Sequence, residues 1–339
     1  MAITIELNDF AAEFRYPAQY DDVVEEFDDL LHRHRTGRLR EKQYLGALKK
    51  LVEQHPWSID GHVHIGNALH DNGEFKHALV AYERGYALGT AALPAGFTDH
   101  IPWGHLENRP FLRAAHGAAL TQSKLGRHAE SIEMLEKMLM WNPEDHQGVR
   151  FVIGSEYMRE GEDEKAMSYF ESGMGYPPYC YERALLLLRQ GRFVESATSL
   201  RLGFVANGYI AEALCGNPRP LPVGIWHGNS WSGPDVAIDY ASDLGKLWHQ
   251  SRNAVAFLRW LHTHPKVMAE RAGILQWREA LRWERDATRR ASITDRELAA
   301  WRGIDDRLSA EIVVERIDRF GQPVFPWLHP EGRLPYGSP

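Results

Sequence analysis

Cysteine is scarce in this chain: Cys180 and Cys215 are the two in 339 residues. Two thiols supply neither a disulfide framework nor a cysteine zinc site. Long apolar runs are also missing, and no stretch approaches the ~18 apolar residues that a bilayer-spanning helix needs. The start, Met1-Ala2-Ile3-Thr4-Ile5-Glu6, has no basic region and no apolar core of the kind a secretory leader carries. Positive charge is not in excess, with 39 Lys and Arg against 46 Asp and Glu and a net charge of -7. The whole molecule therefore has no bulk attraction for a phosphate backbone. The expectation is a cytoplasmic protein that takes no nucleic acid and enters no membrane.

Catalytic signatures are absent too. There is no Gly-x-Ser-x-Gly, no phosphate-cradling glycine loop and no His-Glu-x-x-His. Cys180 falls at a packing position, and neither cysteine has neighbours that would activate it. The 17 histidines invite a metal reading. His62 and His64, however, stand two apart on a helix and point away from each other. His70 and His77 straddle a turn, and His100, His105 and Glu107 make only a loose loop cluster. The reading is of a protein without enzyme activity, cofactor or metal.

What is present is a repeat. Gly66, Gly73, Ala78 and Tyr82 hold positions 8, 15, 20 and 24 of a unit beginning at Ile59. Gly126, Ser131, Leu135 and Pro143 hold positions 15, 20, 24 and 32 of a unit beginning at Leu112. A third unit begins at Gln147, with Gly154, Gly161, Ala166 and Phe170, and a fourth at Pro177, with Ala184, Gly191, Ser196 and Leu200. Each position has a steric task. Small residues at 8 and 20 let two helices approach, and a large residue at 24 fills the space beside them. Glycine at 15 ends the first helix in a left-handed conformation, and proline near 32 stops the second.

These spacings resemble the tetratricopeptide repeat, whose helix pairs stack into a superhelix. Two stretches, Glu107-Asn108-Arg109-Pro110-Phe111-Leu112-Arg113 and Asn142-Pro143-Glu144-Asp145-His146-Gln147-Gly148-Val149-Arg150, look similar to a bacterial group of such proteins. They also resemble the repeat region of the suppressor-of-tumorigenicity-seven family. Tyr181-Glu182-Arg183-Ala184-Leu185-Leu186 and the proline-rich break Asn217–Pro222 fit the same group. The resemblance covers about Trp103 to Leu261 and implies a helical repeat fold and an adaptor-like role, with no catalytic residue. In the paired stretches, Asn142 and Asp145 are expected to cap the following helix, and Arg109 or Arg113 to pair with Asp145.

The fold class expected is all-α, a right-handed α-α superhelix with a helical C-terminal extension. The segments are an acidic stretch over 1–21, a repeat array over 22–262, the extension over 263–320 and a Pro-rich extended tail over 321–339. From Glu6 to Asp29 there are nine acidic residues and one basic one. The extension is read as a helix over Lys266–Arg290, then a second starting at a Thr294/Glu297 capping box. Its bland role is to cap the array. Its sharper roles are to form a homodimer or to lay the tail in the groove.

In such repeats, positions 2, 5, 9, 12 and 13 of the first helix face the concave surface. Here that rule also gives Asp60, Val63, Leu120, Ser123, Gly148, Leu185 and Leu188, and the residues taken as the groove are Asn67, His70 and Asp71, then Arg113, His116 and Lys124, then Phe151, Ser155, Met158 and Arg159, then Tyr181 and Arg189. Arg113, Lys124, Arg159 and Arg189 recur as a row of cations suited to acidic side chains or a C-terminal carboxylate. Phe151, Met158 and Tyr181 would hold an apolar side chain of the same segment. The function expected is a protein–protein adaptor that holds a peptide in this groove. The alternative is an accessory or substrate-delivery subunit of a modifying enzyme, docked through the C-terminal extension.

Overall fold

A computed structural model describes residues 3–8 and 11–328 of the chain. The order begins with a hairpin of β1 (Thr4–Asn8) and β2 (Ala11–Arg15). Helices follow as α1 (Tyr20–Arg35), α2 (Glu41–Gln54), α3 (Ile59–Asp71), α4 (Phe75–Thr90), α5 (Arg109–Lys124), α6 (His128–Trp141), α7 (Ile153–Glu160), α8 (Asp163–Ser172), α9 (Pro177–Arg189) and α10 (Phe193–Ala206). Then come α11 (Gly208–Leu214), α12 (Pro234–Gln250), α13 (Ala254–Thr263), α14 (Pro265–Trp283), α15 (Ala287–Arg302) and α16 (Asp306–Ile312). A two-residue hairpin, β3 (Arg316–Ile317) with β4 (Pro323–Val324), closes the described part. The fold is an all-α helical repeat with no closed sheet among the described residues. It divides into two compact units, 1–166 and 167–339.

The glycine at position 15 does in every unit what its spacing demands. Gly73, Gly126, Gly161 and Gly191 have φ of 75°, 74°, 79° and 75°. Around Gly73, the Gly73 N–H donates to His70 O at 2.9 Å and the Glu74 N–H to Leu69 O at 2.8 Å. This double closure satisfies the carbonyls that a helix end leaves open. The serines at position 20 also repeat one contact. Ser131 Oγ donates to Ala119 O at 2.9 Å, and Ser196 Oγ to Ala184 O at 2.8 Å. In both units the acceptor is the residue at position 8, so the small pair fixes the approach of the two helices.

In the first unit the packing centres on Tyr82. Its ring lies where a Cβ on Gly66 would come within 2.6 Å, and one on Gly117 within 2.3 Å. Only two bare helix backbones, from α3 and α5, leave room for the ring between them. The Tyr82 hydroxyl donates to Asn67 Oδ1 at 2.6 Å.

The acidic start is not a bare leader to the array. It folds as a hairpin in the register Thr4↔Arg15 to Asn8↔Ala11. Asn108, fully buried, ties the hairpin to a segment 94 residues further on. Its Oδ1 accepts the Phe14 N–H at 3.0 Å, and its Nδ2 donates to Ala12 O at 2.9 Å and Pro102 O at 3.0 Å. Phe14 then packs its ring against Phe111, with centroids 5.1 Å apart and the planes tilted by 37°.

In the second unit, α14 and α16 pack on α10 through a buried cation. Arg201, 2% exposed, holds Glu270 with its Nε at 2.8 Å and donates to Asp305 O at 2.7 Å and Ser309 Oγ at 2.8 Å. Val205, Ile274 and Ile304 form an apolar cluster beside it, with Trp301 against them. The expected helix over Lys266–Arg290 breaks at Glu284–Asp286, because Asp286 accepts the Arg289 N–H at 2.9 Å and caps a new helix there. Thr294 and Glu297 therefore lie inside α15, and their capping-box pattern starts nothing. Of the expected tail, residues 329–339 lie outside the described residues. Trp327 is buried among Phe193, Phe257, Trp260 and Phe325.

Two glycine substitutions separate packing from propensity. Gly117→Ala forces a methyl into the Tyr82 ring and is expected to destabilise by roughly 1–3 kcal/mol. Gly46→Ala, in α2 with nothing within 4 Å of the added carbon, is expected to stabilise by about 0.5–1 kcal/mol. Urea unfolding of both variants reads the two signs, and stabilisation by Gly117→Ala would remove Tyr82 from its assigned role.

Candidate functional site

The first unit contains an open cleft of about 510 Å³. Helix α3 gives it Val63, His64, Asn67, His70 and Asp71, and α5 gives it Arg113, His116, Gly117 and Leu120. Helices α1 and α2 add Leu31, His34, Arg35, Glu41 and Tyr44, and Tyr82 lies at the base. Positions 5, 6 and 9 of two successive units, Val63, His64 and Asn67 with His116, Gly117 and Leu120, thus share one wall. Side chains one turn apart lie on one helix face, which is why the positions recur.

Five of the twelve residues expected in the groove, Asn67, His70, Asp71, Arg113 and His116, meet in this cleft. The repeat rule was not extended to α1 and α2, so it missed His34, Arg35, Glu41 and Tyr44. Their signal was the Thr36-Gly37-Arg38 turn, where Gly37 has φ of 72° like the other repeat glycines.

The cleft is built from aromatic and titratable groups held in fixed positions. His34 stacks on Tyr44 at 4.5 Å, with Nε2 3.2 Å from Glu41 Oε2. His64 stacks on Phe27 at 5.4 Å and stands 4.0 Å from the buried Asp60. Arg113 reaches Asp60 Oδ1 at 3.3 Å and lies 5.8 Å from the Trp103 ring. Arg113 therefore faces the cleft as a cation already balanced in part. Burial holds His116 below its ordinary value, and it does the same to His64. His116 Nε2 is cut off from solvent and has no hydrogen-bond partner. A buried ring nitrogen without a partner is costly, so this atom marks the wall where a ligand group has most to gain.

Four expected groove residues take other places. Met158 is 3% exposed and Tyr181 0% exposed, so both belong to the core. The Tyr181 hydroxyl donates to Asn207 O at 2.7 Å. Ser155 is 8% exposed. Arg159 is not a row member waiting for a carboxylate: it pairs with Glu156 and donates to Ser123 Oγ at 3.1 Å. Glu156, 1% exposed, also accepts from Ser123 Oγ at 2.8 Å and sits 2.7 Å from His128 Nδ1.

The third unit departs from the rule because its first helical turn is missing. Gly148 has φ of 73°, residues Val149–Phe151 form a 3₁₀ turn, and α7 starts only at Ile153. Asp145 drives this by accepting the N–H groups of Val149 at 2.6 Å and Arg150 at 3.0 Å. It pairs with Arg150 at 3.6 Å, and Arg109 donates instead to Trp103 O at 3.1 Å. Phe151 is therefore carried on the turn, with Arg150 over its ring at 5.1 Å. Lys124 is exposed at the end of α5, and Arg189 in the second unit donates its Nε to Ser251 Oγ at 3.0 Å.

The thiols are packing groups. Cys180 is fully buried and its thiol is pushed up to about 12 by that burial, while Cys215 is pushed up to about 11. Among the described residues no group of three His, Cys, Asp or Glu side chains has the geometry to hold a metal ion. No described helix is long and apolar enough to cross a membrane.

Helix pairs closed by left-handed glycines, and stacked on small residues, define an all-α repeat protein. Residues 112–145, the repeat that holds α6 and most of α5, match the tetratricopeptide repeat. A solved structure titled as the functional characterization of Pseudomonas aeruginosa PilF aligns over 71% of this chain and 98% of its own, at 18% identity and a TM-score of 0.45. No curated protein matches the chain.

The depressed histidines carry a pH signature. A histidine whose folded value lies below its unfolded one is protonated first in the unfolded chain. Stability is then fully present above about pH 6.5 and lost as pH falls towards the folded value. His116, His62 and His64 in the first unit, and His262 in the second, lowered to about 3, all act in this direction. The unfolding free energy from urea titration is expected to fall between pH 7 and 5, by up to about 1.4 kcal/mol per pH unit for each histidine. His116→Leu is expected to flatten that slope, and a slope unchanged by the substitution would contradict the burial assigned to it.

Proposed function

We propose that the protein is a protein–protein interaction scaffold that holds an extended segment of a partner in the cleft of its first unit. One observation carries the reading: a 510 Å³ cleft on a repeat framework has one wall bearing a buried, unpartnered His116 Nε2. An extended peptide presents N–H and C=O groups at regular spacing, and a neutral imidazole nitrogen satisfies such a group. Asn67, with its Oδ1 taken by Tyr82, has its amide N–H groups left to donate to the peptide. Arg113 and Arg35 favour an acidic side chain or terminal carboxylate, and Asp71 and Glu41 favour a basic one. The match to a tetratricopeptide repeat supports a protein partner, and the bacterial group resembling the suppressor-of-tumorigenicity-seven repeat region remains the kin proposed for it.

The test is capture of the native partner by the tagged protein, compared with Arg113→Glu and Leu120→Trp. The first inverts the cleft's charge and the second fills it. Both are expected to weaken capture about tenfold or more, as loss of a central contact does, while Lys76→Glu on α4 leaves it unchanged. Equal capture by all four proteins would overturn the reading.

A second reading is favoured by one surface. On α14 and α15, Arg282 lies over Trp283 at 5.6 Å and Arg296 over Trp277 at 5.6 Å, and Trp283 is 72% exposed. An exposed tryptophan with an arginine over its ring suits a docking contact, as the accessory-subunit alternative requires. If Trp283→Glu abolishes capture and the cleft variants do not, this face is the docking element. Truncation after His262 is unsuitable for the comparison, because it would strip Glu270 from the buried Arg201.

A further inference from the structure

The second unit holds a small cavity, about 140 Å³ in volume, whose lining shares no residue with the peptide cleft. Helix α14 lines it with Arg271, Leu275 and Arg278, one helix face at steps of four and three. The opposite wall is a loop locked in place. The Val223 N–H donates to Tyr209 Oη at 2.8 Å, Tyr209 Oη meets His227 Nε2 at 2.9 Å, and the Trp226 N–H donates to Arg278 O at 2.9 Å. The cavity is thus a built feature, open on one side, with its loop wall tied to Tyr209 and to α14 by hydrogen bonds.

Its two arginines differ in one respect. Arg278 is balanced: its Nε donates to Glu297 Oε1 at 2.9 Å and its Nη1 to Val205 O at 2.7 Å. Arg271 forms no ion pair with a carboxylate among the described residues, and its hydrogen bond goes to the His262 ring. Burial and the Arg271 charge hold that ring neutral, and burial in turn lowers Arg271 itself. Glu212 lines the same cavity and its charge favours the Arg271 cation, but its Oε2 accepts from Asn217 Nδ2 at 3.2 Å and it forms no ion pair with Arg271. A cation withdrawn from water without a bonded anion is costly, and it stands at the edge of an apolar space.

We propose that this cavity binds a small free carboxylic acid, as its anion, with the carboxylate on the Arg271 guanidinium and an apolar body against Leu275, Ile225 and Phe204. A guanidinium presents parallel N–H groups that match a carboxylate. A dry cavity of about 150 Å³ accepts a body of benzene size, which sets the scale of the ligand at one ring or a short branched chain. The space is too small for a peptide backbone with flanking residues, so a free acid is the occupant.

The experiment is calorimetric titration of the full chain with benzoate, and with benzamide as its uncharged counterpart. Benzoate is expected to bind saturably and at least about tenfold more tightly than benzamide, because a site built for a charged group rejects the analogue lacking it. Arg271→Met is expected to lose benzoate binding while melting at the same or a higher temperature, since the isolated cation is gone. Leu275→Phe, which fills the space without touching the charge, is expected to abolish binding as well. The proposal is overturned if benzoate and isobutyrate both fail to bind saturably, if benzamide binds equally, or if Leu275→Phe binds as the parent does. Marked unfolding of Arg271→Met would also count against it, by showing that the guanidinium serves His262 and the fold. None of these outcomes bears on capture at the first-unit cleft, so the two readings stand or fall separately.

Discussion

The Tyr82 ring between two glycine backbones is the contact on which the first unit depends. It sets how closely α3, α4 and α5 approach, because any side chain on Gly66 or Gly117 would meet the ring below van der Waals distance. The same residue forms the base of the cleft and holds Asn67 in place through its hydroxyl. The steric rule that builds the repeat therefore also positions the residues offered to a ligand. Where such small–large complementarity is tight, change at the contact propagates into the wall of the site, since close-packed interiors deform little.

The second unit relies on a different kind of constraint. Arg201 is a buried charge satisfied by a carboxylate, a backbone carbonyl and a hydroxyl drawn from α14, α16 and the turn before it. Such a group adds little net stability, but removing one partner leaves the other stranded. The C-terminal helices are for this reason an integral part of the unit, and Trp327 seals its other side among Phe193, Phe257 and Trp260. Unlike Arg201, Arg271 has a neutral ring, His262, as its bonded partner and no bonded carboxylate.

Much of the repeat was legible in the sequence because its determinants are local. A glycine that must be left-handed, a small residue facing a small residue and a serine bonding the carbonyl across from it all act within one unit. The misread parts depend on distant or competing contacts. β2 pairs with β1, and Asn108, far along the chain, satisfies its Phe14 N–H and Ala12 carbonyl. The Thr294 box is idle because Asp286 caps the helix earlier. In the third unit Asp145 captures two backbone N–H groups and replaces the first helical turn, so positions counted along an ideal helix miss their places. In the cleft, the rule placed Asn67, His70, Asp71, Arg113 and His116, passed over His64 and Gly117, and lost α1 and α2, where the repeat grammar has decayed to one glycine turn. It also counted Tyr181 and Met158 as surface, because a position on a helix face does not reveal whether a neighbouring element covers it.

The central claim is that the concave wall between α3 and α5 receives a partner segment. The direct measurement is site-specific photo-crosslinking in the native host, with the crosslinking residue placed at Leu120 in the cleft or at Val80 on the exposed side of α4, where the parent residue is 46% exposed. The account predicts one discrete adduct from position 120, mapped by mass spectrometry to a single short segment of one protein, and none from position 80. Equal or greater labelling from position 80, or no adduct from position 120, would contradict it.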